Sequence, residues 1–326
     1  AAQTAAEPRM NRPAGERGLP AGARGIRLSA DPSLTVVVAS CRERELLDAC
    51  LASLLPQCEA HAAEVVVARA AEAAEIQKLE HDYPGVRFVE APPRSTIPEL
   101  RAEGMAAAEG DIVALTEDHC VASEDWLAQM LRAQRAGADV VGGAMDNAQR
   151  QRAIDWAAYF AEYGFFAEGE GGNAAAGPQI TGANVTYSRR VLDEVIRWGR
   201  QGEWENVAHS RLAAQGSAMQ FLRTAAVYQN RNYHFWDFCR DRYEHGRDFA
   251  RRRLVDEGTG RRWLYVPGSF ALPGVLLVRV ARATGRQHRG PFLRALPLTA
   301  AFLVAWSVGE AVGYLRGPAR VESGEE

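Results

Sequence analysis

Short apolar runs alternate with segments of helical spacing through the first half of the chain. Leu34-Thr35-Val36-Val37-Val38 is apolar and β-branched, the pattern of a strand buried on both faces of a parallel sheet. It breaks at Ala39-Ser40-Cys41-Arg42, and Leu46, Leu47, Cys50, Leu51, Leu54 and Leu55 follow at helical spacing. The pattern then predicts a strand over 64–68, a polar helix over 71–81, a strand over 86–89, a helix over 97–108 and a strand over 111–116. A helix over 126–136 and strands over 138–141 and 180–187 complete the series. Between the last two, residues 168–178 are rich in Gly and Ala and are expected to form a long mobile loop. Strands alternating with helices predict an α/β fold with a doubly wound, mostly parallel sheet flanked by helices.

In such sheets ligands gather at the carboxyl ends of the strands. That rule selects two polar segments that directly follow strands, Ala39 to Glu43 and Glu117 to His119. Glu117-Asp118-His119 is the sharper of the two. Three consecutive oxygen or imidazole donors at a strand end suit a divalent ion that bridges a diphosphate. Such an ion would offset the charge that develops on a departing nucleoside diphosphate.

After Tyr228 the pattern changes. Residues 231–253 mix Tyr233, Phe235, Trp236, Phe238, Tyr243 and Phe249 with many arginines. This predicts either an amphipathic helix at a membrane interface or a helix packed on the domain with a basic outer face. Two apolar runs follow, 265–280, broken by Pro267, Pro273 and Gly274, and 295–308, bracketed by Arg294 and Glu310. A spanning helix needs about 20 apolar residues. These lengths therefore suit a re-entrant, interfacial or marginally spanning hairpin; the alternative is a hairpin that caps the domain or mediates dimerisation. The chain thus divides into a disordered leader (1–33), an α/β domain (34–230) and a helical, hydrophobic, membrane-associated appendage (231–326).

Composition narrows the partners. Among 326 residues, 47% are hydrophobic and 24% charged, a globular balance, and the net charge of -3 gives no case for nucleic acid. Five cysteines without CxxC spacing argue against a disulfide framework or structural zinc and suit a reducing compartment. The first 30 residues lack the apolar core of a signal peptide.

Four segments in order resemble the family 2 glycosyltransferases. Residues 34–43 with Leu46-Leu47 and Cys50-Leu51-Ala52-Ser53-Leu54 are similar to the family's opening strand, nucleotide loop and first helix. Arg101, Gly104, Ala106 to Ala108 and Gly110-Asp111-Ile112-Val113 resemble the approach to its DxD motif. Thr181-Gly182-Ala183-Asn184-Val185 resembles the acceptor-side strand, and Glu205-Asn206 with Arg211-Leu212 and Gly216 the helix that bears the catalytic acid. The resemblance implies a GT-A fold and an inverting, metal-dependent glycosyltransferase that uses a nucleotide-sugar donor, UDP favoured. It implies that Ala39, Ser40, Arg42, Arg101 and Asp118 bind donor, and that Gly182 and Asn184 lie on the acceptor side. Glu117, Asp118 and His119 would hold Mn2+ or Mg2+, in an E-x-H variant of DxD that offers nitrogen at the second position. Glu205 would be the general base, with Glu203 open as the competitor two residues away.

The resemblance further implies a lipid-linked or polysaccharide-precursor acceptor, work at the cytoplasmic face of a bacterial inner membrane, and room for a homo-oligomer. Departures from the family pattern are equally plain. Strand two runs into Ala68-Arg69-Ala70-Ala71 where the family commonly has an acidic pair, and Arg42 replaces the usual loop asparagine. Gln229-Asn230 stands near where a histidine is often found; His234 either substitutes for it or, the favoured reading, is an ordinary histidine of the aromatic cluster. The QxxRW signature of processive synthases is missing, which favours one sugar per encounter. The alternatives are a non-catalytic membrane scaffold, suggested by the missing acids, and a sugar nucleotidyltransferase, disfavoured because the loop after the first strand has no glycine.

Overall fold

A computed structural model of the chain describes residues 34–164, 166, 179–284 and 288–317. The leader at 1–33 and the whole of the predicted loop at 168–178 lie outside the described residues. The strands are β1 (Leu34–Ser40), β2 (Glu64–Ala70), β3 (Arg87–Ala91), β4 (Ile112–Glu117), β5 (Cys120–Ala122), β6 (Val140–Asn147), β7 (Asn184–Ser188) and β8 (Met219–Gln229). The helices are α1 (Arg44–Ala60), α2 (Ala73–Asp82), α3 (Ile97–Ala107), α4 (Trp126–Arg135), α5 (Ala153–Glu162), α6 (Arg189–Arg200), α7 (Glu205–Ala214), α8 (Phe235–Glu257), α9 (Arg262–Ala283) and α10 (Arg289–Arg316).

All eight strands form one sheet in the order β3-β2-β1-β4-β7-β6-β8-β5. The half that opens the chain is parallel, with β1 between β2 and β4. Every residue of β1 is buried, as expected of a strand covered by helices on both faces. Beyond β4 the sheet is mixed: β7 is antiparallel to β4 and β6, β8 is parallel to β6, and β5 is antiparallel to β8. β5 and β8 were not legible as strands. β5 is only three residues long, and the burial of β8 alternates irregularly because it lies near the sheet edge.

Local chemistry fixes α3, which carries Arg101. The Glu99 carboxylate accepts from the Thr96 amide at 2.7 Å, and Pro98 stands in the first turn, so the helix start is well specified. Gly104 lets the helix settle onto β1, since a Cβ there would meet the Val37 side chain.

α8, α9 and α10 form the appendage. α10 lies against α8 along its C-terminal half, where Gly246, Gly309 and Gly313 bring the two backbones together. A Cβ at any of them would strike backbone of the other helix. The N-terminal half of α10 packs on α5, with Phe292 edge-on to Phe160 at 5.1 Å. The basic-aromatic helix expected over 231–253 is therefore packed on protein through α10, although Trp236 is 78% exposed.

Candidate active site

β1 and β4 run side by side with Ala39 opposite Glu117, so both polar segments emerge on one rim. Asp118 ties them together. Its Oδ2 accepts from Ser40 Oγ at 3.0 Å and from the Cys41 and Arg42 amides at 2.8 and 2.7 Å. Its own amide donates to the Ala39 carbonyl at 3.1 Å. Burial alone would raise the Asp118 pKa, but His119 and the two loop amides hold it below the ordinary carboxylate value. Asp118 is thus an ionised anchor that shapes the β1–α1 loop. Arg42, half-buried beside it, brings a guanidinium within electrostatic reach of Glu162, Glu117 and Asp118.

The missing acids at the end of β2 are replaced by a brace. Buried Arg69 donates to Ser40 Oγ at 2.6 Å, to the Arg42 carbonyl at 3.1 Å and to Glu75 at 2.7 Å. The loop is therefore held from two strands, by a carboxylate on one side and a guanidinium on the other. Arg69 stood in the sequence as a departure; its partners on another strand and in a loop gave no local signal.

Arg101 occupies the centre of the site. It donates to Glu117 Oε1 through one terminal nitrogen and to Glu205 Oε2 at 2.6 Å through the other. One buried guanidinium therefore links the strand-end carboxylate to the first residue of α7. Gly182 makes this possible, because a Cβ there would collide with the Arg101 guanidinium. Burial would raise the Glu205 pKa, but Arg101 and the Gly182 amide hold it below the ordinary value. One turn on, His209 Nε2 faces the Tyr187 hydroxyl at 2.8 Å and Nδ1 faces the Ile180 carbonyl at 3.1 Å. Since a carbonyl only accepts, Nδ1 carries the proton. Burial pushes the His209 pKa down to about 4, so the ring is neutral and stiffens the turn below Glu205.

Glu203 is paired with Arg211 at 2.6 Å, although it lines the same cavity as Arg101 and Glu205. Asn184 is turned away from the cleft. Its amide donates to the Ala144 and Ala225 carbonyls at 2.8 and 2.9 Å and accepts from Trp126 Nε1 at 2.7 Å, all within the core. His234 stands at the N-cap position of α8, exposed and without a side-chain capping bond, whereas Gln229 is buried and contacts the Tyr233 hydroxyl.

Among the described residues no three His, Cys, Asp or Glu side chains form a ready-made metal cage. The donor set still fits one divalent ion shared with a substrate diphosphate. His119 Nδ1 is buried with no hydrogen-bond partner, 3.4 Å from Glu117 Oε2 and 3.8 Å from Asp118 Oδ1. Such ions on phosphate substrates need only one or two protein carboxylates, the rest of the shell coming from phosphate and water. The other ring nitrogen faces the Tyr163 hydroxyl at 3.2 Å, which fixes the imidazole plane. Burial would lower the His119 pKa, but Cys120, Asp118 and Glu117 raise it well above the usual imidazole value. A metal here has a proton to displace.

Comparison with known proteins bears on the fold and the family. No curated protein matches the chain. Among solved structures 237 chains match. One is the mannosyltransferase PcManGT from Pyrobaculum calidifontis in complex with GDP-Man and Mn2+, with 17% identity, a TM-score of 0.50 and coverage of 86% of this chain and 87% of that one. At that identity the likeness speaks for the fold, which is GT-A-like. The family model for Glycosyl transferase family 2 matches residues 35–196, from β1 through most of α6 and across the whole Glu117–His119 rim. The chain belongs to glycosyl transferase family 2 and is a glycosyltransferase.

Proposed function

We propose that the chain moves one sugar, with inversion at the anomeric carbon, from a nucleoside-diphosphate sugar to a lipid-linked or polysaccharide-precursor acceptor at a membrane face. The observation that carries this reading is the buried array Glu117–Arg101–Glu205, which joins the strand-end carboxylate to the first residue of α7. The β1–α1 loop from Ala39 to Arg42, shaped by Asp118 and Arg69, receives the nucleotide, and the Arg42 guanidinium suits a phosphate oxygen. Glu117 and His119, with Asp118 Oδ1 alongside, are the groups that would hold Mn2+ or Mg2+. When bound, the ion supplies charge stabilisation for the departing diphosphate.

Glu205 is ionised at neutral pH, the state a base needs. A base of depressed pKa is weak, so it takes the acceptor proton late, as the new C–O bond forms and the hydroxyl becomes acidic. Arg101, enclosed by carboxylates, acts as the cation that sets the position of Glu205 relative to Glu117, in place of the direct donor contact expected from sequence. Gly182 contributes through its missing side chain and its amide. Asn184 supports the same strand from inside the core, and Glu203 serves as a partner for Arg211.

UDP-sugars are the donors the family resemblance favours, and the likeness to a GDP-mannose complex adds GDP-mannose to the panel. The test is donor turnover with Mn2+ or EDTA across that panel, with the product anomer read by NMR. Metal-dependent turnover, inversion and loss of activity in Glu117→Ala support the reading. Retention of configuration, or turnover indifferent to metal and to Glu117, overturns it.

A further inference from the structure

α9 carries five exposed large hydrophobic side chains, more than any other described helix. Trp263, Leu264, Phe270, Val275 and Val278 are each between 49% and 79% exposed. α9 and α10 have the same mean hydropathy, 1.5 over their most apolar windows, yet only 11% of that window is buried in α9 against 44% in α10. The two helices are therefore alike in composition and different in role. α10 packs on protein through both halves, its glycine face on α8 and Phe292 on α5, although Leu293, Val304, Val308 and Leu315 are exposed. A helix so engaged is not free to leave the domain and cross a bilayer alone.

α9 is tethered at both ends as well. Tyr265 packs on Tyr314 at 5.1 Å and lies beneath the Arg253 guanidinium at 4.1 Å. At the other end Val280 is buried against Gly164, with Leu276 and Leu277 on the main core. One side of α9 thus follows the protein for its whole length while the other is bare. The whole helix, 22 residues, is long and apolar enough by composition to cross a membrane. Its stretch free of charge, however, Trp263 to Val278 between Arg262 and Arg279, is about 24 Å long at ~1.5 Å per residue. That is short of the roughly 30 Å hydrocarbon core.

Charge selects what covers the bare side. The chain as a whole has net charge -3, but from Gly258 to Gly309 it has no Asp or Glu and seven arginines, among them Arg262, Arg282, Arg289 and Arg294. A second copy of this surface would face it with the same cations, whereas anionic headgroups complement them.

We propose that α9 lies along the surface of a bilayer bearing anionic lipids, with its apolar face immersed and α10 interposed as a strut between it and the catalytic sheet. This deepens the membrane reading above by assigning a surface-lying, non-spanning mode and a lipid charge. The test is vesicle sedimentation of the full chain on phosphatidylcholine with and without one-third phosphatidylglycerol. Anionic vesicles are expected to bind at least about ten-fold tighter, and alkaline carbonate to strip the protein off. Leu264→Asp with Phe270→Asp should cost at least about ten-fold in binding. Arg282→Glu with Arg294→Glu should remove the preference for anionic lipid. These side chains are exposed, so melting and donor turnover in detergent should match wild type and report that the variants fold. Carbonate-resistant insertion overturns the surface-lying mode and leaves the membrane reading standing. Binding that ignores the α9 substitutions overturns the role of α9. Failure to bind any vesicle, with self-association lost in the same variants, overturns both readings while donor turnover still tests the catalytic one separately.

Discussion

Arg101 is the residue on which the site turns, and its environment decides what its loss does. Removing the cation from between two largely buried carboxylates leaves uncompensated charge, which typically costs about 3–5 kcal/mol. Arg101→Met is therefore expected to lower the melting temperature well beyond an ordinary surface change. A purely structural role would stop there; a positioning role also moves the pH profile. In the wild type the pKa of Glu205 lies below its ordinary 4.5, so activity that needs the carboxylate falls only as pH drops through that low value. Without Arg101 burial dominates, the pKa rises, and the acid limb of kcat/KM shifts toward neutral pH. Arg101→Lys should restore the limb in part, because it keeps the charge and loses the fork.

Asp118 makes a different prediction. Three donors converge on one oxygen, so Asp118→Asn should weaken nucleotide binding about ten-fold or more even in EDTA, measured by calorimetry with the free nucleoside diphosphate. A residue that served only as a metal ligand would leave that metal-free binding unchanged. The strand-end position of these groups was legible from the apolar run before them. The pairing of Arg101 with Glu205 was not, because the two stand 104 residues apart.

At the scale of elements, α8 and α10 make the sharpest case. Gly309 faces the Tyr243 backbone with no room for a methyl group, so Gly309→Ala must part the helices. Overpacking of this kind costs about 1–3 kcal/mol. Gly290, also helical but open on its Cβ side, is the control. Alanine there should be neutral or stabilising by up to about 1 kcal/mol. Chemical denaturation of the two variants distinguishes packing from propensity.

The parallel half of the sheet was readable because each of its inner strands is a continuous apolar run bounded by polar breaks. β8 and α5 were not readable in the same way, whereas α6 carries Val191, Leu192, Val195 and Ile196 at plain helical spacing. In α5 nearly every position is buried, which removes the polar face that marks a helix. The burial of β8 follows no clean alternation. The glycines of α8 and α10 read in sequence as interruptions of apolar runs, and only the helix crossing gives them a reason.

For the whole molecule, the two ends of the chain's chemistry are joined through one layer. Strand β6 meets α5, both α5 and α8 meet α10, and α9 lies along α10 with its C-terminal end against Gly164. If α9 rests on lipid, the acceptor approaches a site held at a fixed height above the surface, a requirement for a lipid-linked substrate and not for a soluble one. The apolar runs of the appendage were plain in the sequence, but which of them faces protein depends on the glycine contacts of a helix crossing. The central claim is that Glu205, held by Arg101, is the base for sugar transfer. Its most direct test compares Glu205→Gln with Glu203→Gln, with donor affinity and turnover measured on the same preparations. The account predicts that Glu205→Gln binds donor within a few-fold of wild type while kcat falls by about 10²–10⁴, and that Glu203→Gln keeps its turnover. Turnover that survives in Glu205→Gln and collapses in Glu203→Gln would contradict it.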